Sequence, residues 1–284
     1  MNKIKMVIPK GRMMAGVVGL INDSGTSLET NSRHYLPSIA DEEIEVKIMK
    51  PQNIAQLVER GSYDAGFTGL DWVVETGASV VELLDLGLDP VRIVAAVPED
   101  ADDKELARRR VVVATEYENI AHGFLREKGF DYLLLRTHGA SEAFPPEDAD
   151  MIIDNTATGR TLKEHRLRIM AEILGSSTRF IANRDALADD GKREKIEELK
   201  MLFASVLNAR ERVMLEMNVP KDRLETVVRI LPCMRAPTVS PLYGEAGFAV
   251  KAAVRKEAAA KLIPLLKKTG ATDILEYSFR KVVI

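Results

Sequence analysis

Short apolar runs alternate with helical patterns along the first 185 residues, and this alternation restricts the fold more than any other feature. Residues 111–114 show the strand pattern most clearly, because three valines in a row lie next to a charged segment. A helical pattern follows and ends before Gly129, and another apolar run begins at Tyr132. Repeated strand–helix units of this kind predict an α/β fold with largely parallel sheets.

The pattern changes after Arg212. Strand patterns cover residues 213–219, 238–242, 248–254 and 274–283, and helical patterns cover residues 221–230 and 257–268. The resulting order, βαββαβ, predicts a ferredoxin-like domain at the C-terminal end. Such a module after an α/β enzyme suggests regulation, although a fold alone does not determine a role.

The stretch with the clearest chemistry is residues 150–167, which read D-M-I-I-D-N-T-A-T-G-R-T-L-K-E-H-R-L. Residues 151–153 predict a short buried strand that ends at Asp154, and a helix is expected from Leu162 onward. A Thr/Gly loop, residues 156–161, lies between them. Unpaired amides at a helix start and the positive end of the helix dipole both favour an anion at such a loop.

Side chains in this stretch refine the kind of anion. The hydroxyls of Thr158 and Thr161 are donors, and the guanidinium of Arg160 suits a phosphate. Asp154 does not suit a bare phosphate, but it suits ribose hydroxyls or a Mg²⁺ that accompanies a polyphosphate. The stretch therefore suggests a site for a phosphorylated sugar.

An ordinary capped loop is the competing interpretation, because short Thr/Gly loops before helices are common. The loop matches neither G-x-x-x-x-G-K-[ST], since the second glycine and the lysine are absent, nor G-x-G-x-x-G.

Two further turns follow predicted strands. Lys10 and Arg12 come directly after the apolar residues 4–8, and open α/β sheets bind ligands at the carboxyl ends of their strands. Residues 64–69, D-A-G-F-T-G, repeat the pattern of apolar strand, Thr/Gly turn and helix. The two similar segments suggest two similar lobes facing each other, with a chance match of short patterns as the alternative.

Composition excludes several classes of protein. The net charge of −3 argues against a dedicated nucleic-acid binder. A single cysteine, Cys233, excludes an internal disulfide framework and a cysteine-based zinc cluster. The four histidines (His34, His122, His138 and His165) share no metal-ligand spacing. The sequence shows no signal peptide and no apolar stretch long enough to span a membrane, so a cytoplasmic protein is expected.

Over its full length the sequence resembles the long form of the ATP phosphoribosyltransferase family, with T-G-R-T-L-K-E after a strand ending in Asp as the most specific match. The segments that carry the resemblance are Pro9-Lys10-Gly11-Arg12, residues 64–69 with Asp71, Thr115-Glu116-Tyr117, residues 139–142, Asp150, residues 154–162, Asn218-Val219-Pro220 and residues 237–242.

The resemblance implies two α/β lobes arranged like a type II periplasmic binding protein, followed by a ferredoxin-like regulatory domain. The implied bounds are residues 1–90 with 180–211 for catalytic lobe I, 91–179 for catalytic lobe II and 212–284 for the regulatory domain. The implied reaction joins N1 of ATP to C1 of 5-phosphoribosyl 1-diphosphate and releases diphosphate, with Mg²⁺. Histidine would inhibit by feedback, and homo-oligomers (dimers and hexamers) would form.

The resemblance also implies roles for individual residues. Asp154, Asn155, Thr156, Ala157, Thr158, Gly159, Arg160 and Thr161 would bind the phosphoribosyl donor, and Asp154 would also bind the metal. The catalytic residues would be Lys10, Arg12 and Glu142. The ATP-binding residues would be Asp71 and Tyr117. The histidine-binding residues would be Asn218, Thr238 and Asp273.

Several positions depart from the family pattern, among them His165-Arg166-Leu167 after T-L-K-E and residues 147–151 before the loop, and two departures concern implied ligand sites. Glu118 lies where the family often has Pro, next to the implied ATP site. Asn218 lies where some members carry Asp, and a neutral amide contacts an ammonium less strongly than a carboxylate does.

Two other functions fit part of the sequence. A two-lobed solute-binding or sensor protein would bind an anion without turnover. Another kind of phosphoribosyltransferase would be expected to carry an acidic pair before the Thr-Gly loop, which this chain lacks.

Overall fold

The computed structural model describes residues 3–29 and 37–284, with the side chain of Glu245 left out, so His34 lies outside the described residues. The chain divides into two compact units, Met1–Gly19 with Ser27–Glu197 and Leu20–Thr26 with Glu198–Ile284. No helix in the described ranges is both long and apolar enough to cross a membrane.

Strands and helices alternate along much of the first unit, as the apolar runs predict, although some strands follow one another directly. Up to residue 90 the elements are β1 (Ile4–Pro9), α1 (Arg12–Asp23), β2 (Leu28–Glu29), β3 (Ser38–Ile39), β4 (Ile44–Met49), α2 (Pro51–Glu59), β5 (Ala65–Gly69), α3 (Leu70–Thr76) and β6 (Val81–Asp85). They continue with β7 (Val91–Pro98), α4 (Asp103–Leu106), β8 (Val111–Thr115), α5 (Glu118–Lys128), β9 (Tyr132–Arg136), β10 (Met151–Thr156), α6 (Arg160–Glu164) and β11 (Leu167–Ser176). The remaining elements are β12 (Thr178–Ala182), α7 (Arg184–Ala188), α8 (Asp190–Arg210), β13 (Arg212–Val219), α9 (Leu224–Ile230), β14 (Thr238–Pro241), β15 (Phe248–Arg255), α10 (Lys256–Thr269) and β16 (Thr272–Ser278).

Two five-stranded sheets and the short two-stranded sheet of β2 and β3 make up the first unit. The sheet of lobe I has the order β4-β1-β5-β12-β6, and the sheet of lobe II has the order β9-β8-β10-β7-β11. The fourth strand in each order is the first one after the chain crosses from the other lobe: β12 follows β11 of lobe II, and β7 follows β6 of lobe I. The repeated order confirms the prediction of two similar lobes arranged like a type II periplasmic binding protein, with β5 and β10 in equivalent positions.

The sheets are mixed, so the prediction of largely parallel sheets was wrong. β1 pairs in parallel with β4 and β5, and β8 pairs in parallel with β9 and β10. β12 is antiparallel to both of its neighbours, and so is β7. The physical reason is the crossing itself, because a strand that returns from the other lobe enters the sheet in the opposite direction.

β11 is a second departure from the sequence prediction. The helix expected from Leu162 onward ends at Glu164, and Arg166 takes a left-handed backbone conformation with φ 54°. The chain then pairs with β7 from Leu167 to Ser176. Residues such as Met170, Ala171 and Glu172 favour helices, so pairing with a neighbouring strand overrides the local preference here.

The two segments that connect the lobes lie side by side. The amide of Leu86 donates to the carbonyl oxygen of Thr178 at 3.0 Å, and the amide of Thr178 donates to the carbonyl oxygen of Leu88 at 2.9 Å. Hydrogen bonds between the two crossings place the cleft between the lobes next to this pair of connections.

The second unit contains the predicted ferredoxin-like fold. Its sheet has the order β14-β15-β13-β16, and all three pairings are antiparallel. Alternate residues of β13 are buried together with residues of α9 and α10, among them Leu215, Val227 and Leu266. This alternation is the period-2 pattern of a sheet covered by helices on one face. The lobe and domain bounds given above stay predictions.

A pair of leucines in lobe II tests how its core is packed. Leu125 on α5 is fully buried, whereas Leu133 on β9 is 51% exposed. We expect Leu125→Ala to lower the free energy of unfolding by about 2–5 kcal/mol, because it leaves a cavity in the core. Leu133→Ala should change it by less than about 0.5 kcal/mol. Chemical denaturation measures both, and equal losses in the two variants would contradict the packing described here.

Candidate active site

The loop after β10 carries most of the residues predicted to bind a phosphate. β10 continues to Thr156, so Asp154 and Asn155 lie inside the strand rather than after it. α6 has only five residues, and a short helix sums few peptide dipoles. Any affinity of this loop for an anion therefore depends on the loop amides and side chains more than on a helix dipole.

Several amides of this loop are available to a ligand. Gly159 has φ 76°, which lets the chain turn back so that its amide donates to Oγ1 of Thr156 at 3.0 Å. The described residues offer no acceptor to the amides of Ala157, Thr158 and Thr161. Three amide donors on one short loop can surround the oxygen atoms of a phosphate.

These amides border an open space. A cavity of about 220 Å³ is lined by residues of the loop together with Arg12 and Glu142. Arg160 also lines it, with a largely exposed side chain whose Nε donates to Oε1 of Glu164 at 2.7 Å. The arrangement combines two guanidinium groups with two carboxylates, from Asp154 and Glu142, around one cavity.

Asp154 is held by two neighbours. Oγ of Ser141 donates to its Oδ2, and the amide of Asn155 donates to its Oδ1 at 2.6 Å. Burial, together with the nearby charges of Glu116 and Glu142, raises the pKa of Asp154 to about 6, although the hydrogen bonds from Ser141 and Asn155 oppose the shift. A cation or a group of hydroxyls next to Asp154 would relieve this accumulation of negative charge.

A second cavity, of about 170 Å³, lies between the lobes and brings together Lys10, Arg12, Asp71, Tyr117 and Asn155. Arg12 and Asn155 also line the first cavity, so the two cavities adjoin. Residues that are far apart in the chain, and that were predicted to bind two different substrates, therefore meet at one place. Their individual roles stay predictions.

A buried hydrogen-bond network spans the second cavity. The hydroxyl of Tyr117 donates to Oδ2 of Asp71 at 2.8 Å and accepts from Nδ2 of Asn155 at 3.1 Å. Oγ of Ser176 donates to Oδ1 of Asp71 at 2.6 Å and accepts from the Asp71 amide at 3.0 Å. Burial and the carboxylate of Asp71 raise the pKa of Tyr117, so this side chain remains a neutral donor. Its ring stacks on Trp72 with centroids 4.6 Å apart.

A third cavity, of about 480 Å³, extends along the same cleft, and its size is in the usual range for small-molecule sites. It is lined from lobe I by Lys50, Gln52, Asn53, Gln56, Trp72, Glu75 and Thr76, and from lobe II by Glu116, Glu118, Asn119, Arg136, Thr137 and His138. Lys50 and Arg136 provide positive charge on opposite walls.

A metal site made by the protein alone is not found, because no group of three metal-binding side chains occurs among the described residues. Asp154 and Glu142 do line one cavity together. Mg²⁺ typically binds one or two protein carboxylates and takes its other ligands from substrate phosphates and water. This pair of carboxylates therefore fits a Mg²⁺ that arrives with a phosphorylated substrate.

The residues predicted to bind an inhibitor lie in the second unit. Nδ2 of Asn218 donates to Oδ2 of Asp273 at 2.9 Å, and this hydrogen bond lowers the pKa of Asp273. Thr238 lies on the edge strand β14 opposite Lys251, which in turn lies opposite Glu216. Because Glu216 and Asn218 are two residues apart on β13, Thr238 and Asn218 share one face of the sheet.

Sequence reasoning assigned no role to three residues that the structure places in or beside the cleft: Glu75, Ser141 and Ser176. Ser176 is 105 residues away from the Asp71 carboxylate that it contacts, and no local pattern indicates such a pairing. Glu75 lies four residues after Asp71, so helical periodicity does place the two on one face of α3.

The comparisons with known proteins agree over the whole chain. A family model described as "HisG: ATP phosphoribosyltransferase" matches residues 50–205, and one described as "HisG, C-terminal domain" matches residues 209–281. The ATP phosphoribosyltransferases of Pelotomaculum thermopropionicum and Desulforudis audaxviator are each 40% identical to this chain over 289 residues, which cover 99% of both proteins in each case.

A solved structure is also similar. The ATP phosphoribosyl transferase (HisG:HisZ) complex from Thermotoga maritima has a chain that matches with a TM-score of 0.63 and 27% sequence identity. The match covers 71% of this chain and 98% of that one.

A glycine substitution tests the network around Asp71. A Cβ added at Gly69 would overlap Oδ1 of Asp71, whereas one added at Gly175 meets nothing within 4 Å. We expect Gly69→Ala to lower the free energy of unfolding by about 1–3 kcal/mol, because it displaces a buried carboxylate from its donors. Gly175→Ala, next to Ser176, is the control and should be close to neutral. Thermal and chemical unfolding measure both, and a harmless Gly69→Ala would contradict the geometry of the network.

Proposed function

This chain belongs to the ATP phosphoribosyltransferase family in its long form, and we propose that it transfers the phosphoribosyl group of 5-phosphoribosyl 1-diphosphate to N1 of ATP. Membership of the family makes it a transferase of histidine biosynthesis. The proposed products are 1-(5-phosphoribosyl)-ATP and diphosphate. The observation that carries the proposal is a loop with available amides, next to Asp154, facing a cavity that adjoins the cleft between two lobes.

The loop from Asp154 to Thr161 is the proposed donor site. Its available amides and the hydroxyls of Thr158 and Thr161 would bind the 5-phosphate, and Arg160 would add a charged donor. Asp154 would accept hydrogen bonds from the ribose hydroxyls. Ser141, which also belongs to lobe II, supports this role because its hydroxyl donates a hydrogen bond to Oδ2 of Asp154 and so orients the carboxylate.

The cleft between the lobes is the proposed ATP site. Asp71 and Tyr117 line its inner part, and the larger cavity continues outward between Lys50 and Arg136. ATP carries about four negative charges, so two cations on opposite walls complement its triphosphate. Trp72 and Tyr117 contribute the aromatic surface near the proposed position of the base.

Magnesium is proposed as the cofactor, with Asp154 and Glu142 as the protein groups that would hold it. When bound together with the donor, the ion would neutralise part of the negative charge on the diphosphate. Lys10 and Arg12 line the cavity between the two substrate sites, and Arg12 lines both cavities. These two side chains would orient the leaving diphosphate and offset its negative charge.

The proposed chemistry needs positioning more than acid–base catalysis. Breaking the bond between C1 and diphosphate develops positive charge on the ribose, as in glycosyl transfer through an oxocarbenium-like transition state. N1 of adenine has a free lone pair at neutral pH, so no strong general base is required. The two lobes would align N1 with C1 while the carboxylates and cations around them offset the developing charges.

Feedback inhibition is proposed for the second unit. Asn218, Thr238 and Asp273 lie on one sheet, and the first and last form a hydrogen bond that histidine could replace with its ammonium and carboxylate. Homo-oligomers, dimers and hexamers, are proposed as the assemblies of this chain. The Thermotoga maritima structure is itself a complex of two kinds of chain.

A binding-only protein is the alternative, and a direct assay distinguishes the two. ATP, 5-phosphoribosyl 1-diphosphate and Mg²⁺ are mixed with the protein, and the absorbance of N1-alkylated adenine is followed. Absence of product would favour the binding-only alternative. Product formation that continues in EDTA would contradict the magnesium assignment.

Arg160 tests the donor site within this assay. We expect Arg160→Ala to raise the KM for 5-phosphoribosyl 1-diphosphate and to lower kcat/KM by roughly tenfold or more, because hydrogen bonds to charged groups contribute about 1.5–3 kcal/mol. Arg126→Ala removes an exposed arginine of α5 that lines none of the three cavities and serves as the control. Unchanged kinetics in Arg160→Ala would remove this residue from the site.

Asn218 tests the inhibitor site. We expect Asn218→Ala to raise the histidine concentration needed for half-inhibition by about tenfold, since one hydrogen-bonding side chain contributes about 1–1.5 kcal/mol. Each variant is compared with its own rate without histidine. Glu276→Ala, an exposed change on the neighbouring strand β16, provides the control. Equal inhibition of Asn218→Ala and of the unchanged protein would place the inhibitor elsewhere.

A further inference from the structure

Helix α3 buries an unusual face. Its buried residues are Asp71, Trp72 and Glu75, so two of the three are carboxylates. All three contact lobe II, although α3 follows directly from strand β5 of lobe I. Trp72 packs within the buried apolar cluster of lobe II, and Asp71 accepts the hydrogen bond from Tyr117 described above. We call these three residues the α3 latch, because they join the two walls of the cleft.

Glu75 is the member of the latch to which the proposed chemistry gives no role of its own, although it also lines the cavity of about 480 Å³. Its Oε1 accepts from the amide of Asn119 at 3.0 Å, and its Oε2 accepts from the amide of Ile120 at 3.0 Å. Nδ2 of Asn119 donates in return to the backbone carbonyl of Glu75 at 2.7 Å. The carboxylate therefore lies at the first turn of α5, where unpaired amides and the helix dipole favour a negative charge.

Helix α5 lacks a cap from its own sequence. Tyr117 occupies the N-cap position and makes no side-chain capping hydrogen bond. Ser, Thr, Asp or Asn would normally fill this position and accept from the first amides of the helix. Glu75 supplies that acceptor from the other lobe, across 44 residues of sequence.

The start of α5 matters because of what comes just before it. Tyr117, directly before the helix, donates a hydrogen bond to Asp71 and stacks on Trp72. Glu116 lines two of the cavities in the cleft. Any shift of the first turn of α5 would move both residues relative to lobe I. A shift of about 1 Å in a substrate-binding group is enough to lower a reaction rate on the order of a hundredfold.

We propose that Glu75 is a positioning residue, which caps α5 from the opposite lobe and thereby holds Tyr117 and the two walls of the cleft in the geometry that the transfer requires. The catalytic part of this inference rests on the proposed function of the cleft.

Desolvation of the buried Glu75 carboxylate opposes its ionisation at this place. Burial raises the pKa of Glu75, and the amides of Asn119 and Ile120 oppose the shift without cancelling it, while the charge of Glu118 adds to it. A carboxyl whose pKa is raised on folding contributes stability below its unfolded pKa and loses that contribution as the pH rises through its folded pKa. Ionisation of Glu75 as the pH rises therefore counts against folding, and the hydrogen bonds from the amides of Asn119 and Ile120 reduce that cost.

The only tryptophan of the chain reports on the latch, since Trp72 is 8% exposed and lies within it. We expect Glu75→Gln to shift its fluorescence to longer wavelength and to increase quenching by acrylamide, because an amide NH₂ would face a helix amide that needs an acceptor. In the same variant kcat and kcat/KM should fall together, on the order of a hundredfold, as for a loss of alignment in the transition state. The melting temperature should move by no more than about 4 °C.

Glu127→Gln is the matched control. It removes the same charge from the far end of α5, where the side chain is 74% exposed and contacts only its neighbour Lys128 among the described residues. Its fluorescence, quenching and kinetics should equal those of the unchanged enzyme. Should Glu75→Gln fail to fold, Asn119→Ala replaces it, because Asn119 is exposed and its amide group meets the carbonyl of Glu75 from lobe II. It should shift the same readouts in the same direction by a smaller amount.

Two results would overturn the inference. One is unchanged kinetics per folded molecule in Glu75→Gln, and the other is a loss of activity that only parallels a loss of folded protein. An unchanged enzyme that forms no product would refute the proposed function instead, and the quenching comparison would still test the latch without turnover.

Discussion

A single buried phenol connects the two halves of the cleft. The hydroxyl of Tyr117 donates to Asp71 on lobe I and accepts from Asn155 on lobe II, while the ring stacks on Trp72. Asn155 in turn contacts Asp154, the carboxylate of the proposed donor site. Because a buried polar group is costly unless it is paired, each residue of this hydrogen-bond network depends on the others being in place. The positions of both proposed substrate sites therefore depend on one continuous network.

Local charge matters more to this site than the charge of the whole protein. The chain carries a net charge of −3, yet the substrates of its family are strongly anionic. Lys10, Arg12 and Arg160 lie along the two inner cavities, and Lys50 and Arg136 lie along the outer one. The carboxylates of Asp154 and Glu142 lie in one inner cavity, and those of Glu75, Glu116 and Glu118 lie in the outer one. Charges of both signs therefore line the cleft, which suits the phosphates, the hydroxyls and the accompanying cation of the proposed substrates better than it suits a simple anion.

The unpaired amides at the start of a helix have different partners at α5 and α6. At α6 the helix is too short for its dipole to contribute much, and the loop amides before it are the donors available to a phosphate. At α5 the helix has 11 residues, and its first amides are taken by Glu75 rather than left for a ligand. The same chemical feature, a set of unpaired amides, is thus open at the proposed donor site and closed where the lobes meet.

The sequence by itself determined the class of fold, the βαββαβ order of the last domain and the segments proposed to hold the site, because each of these depends on local periodicity and on the residue types of single loops. It also placed Asp71 and Tyr117 in one site through the family resemblance. Only the tertiary structure decided that the sheets are mixed, that residues 167–176 form a strand, and that Ser141, Ser176 and Glu75 support the cleft. Strand direction follows from where the chain crosses between lobes, and β11 exists because β7 offers it hydrogen bonds that outweigh its helical preference. The supporting contacts join residues up to 105 positions apart, and no local pattern carries information about such a distance.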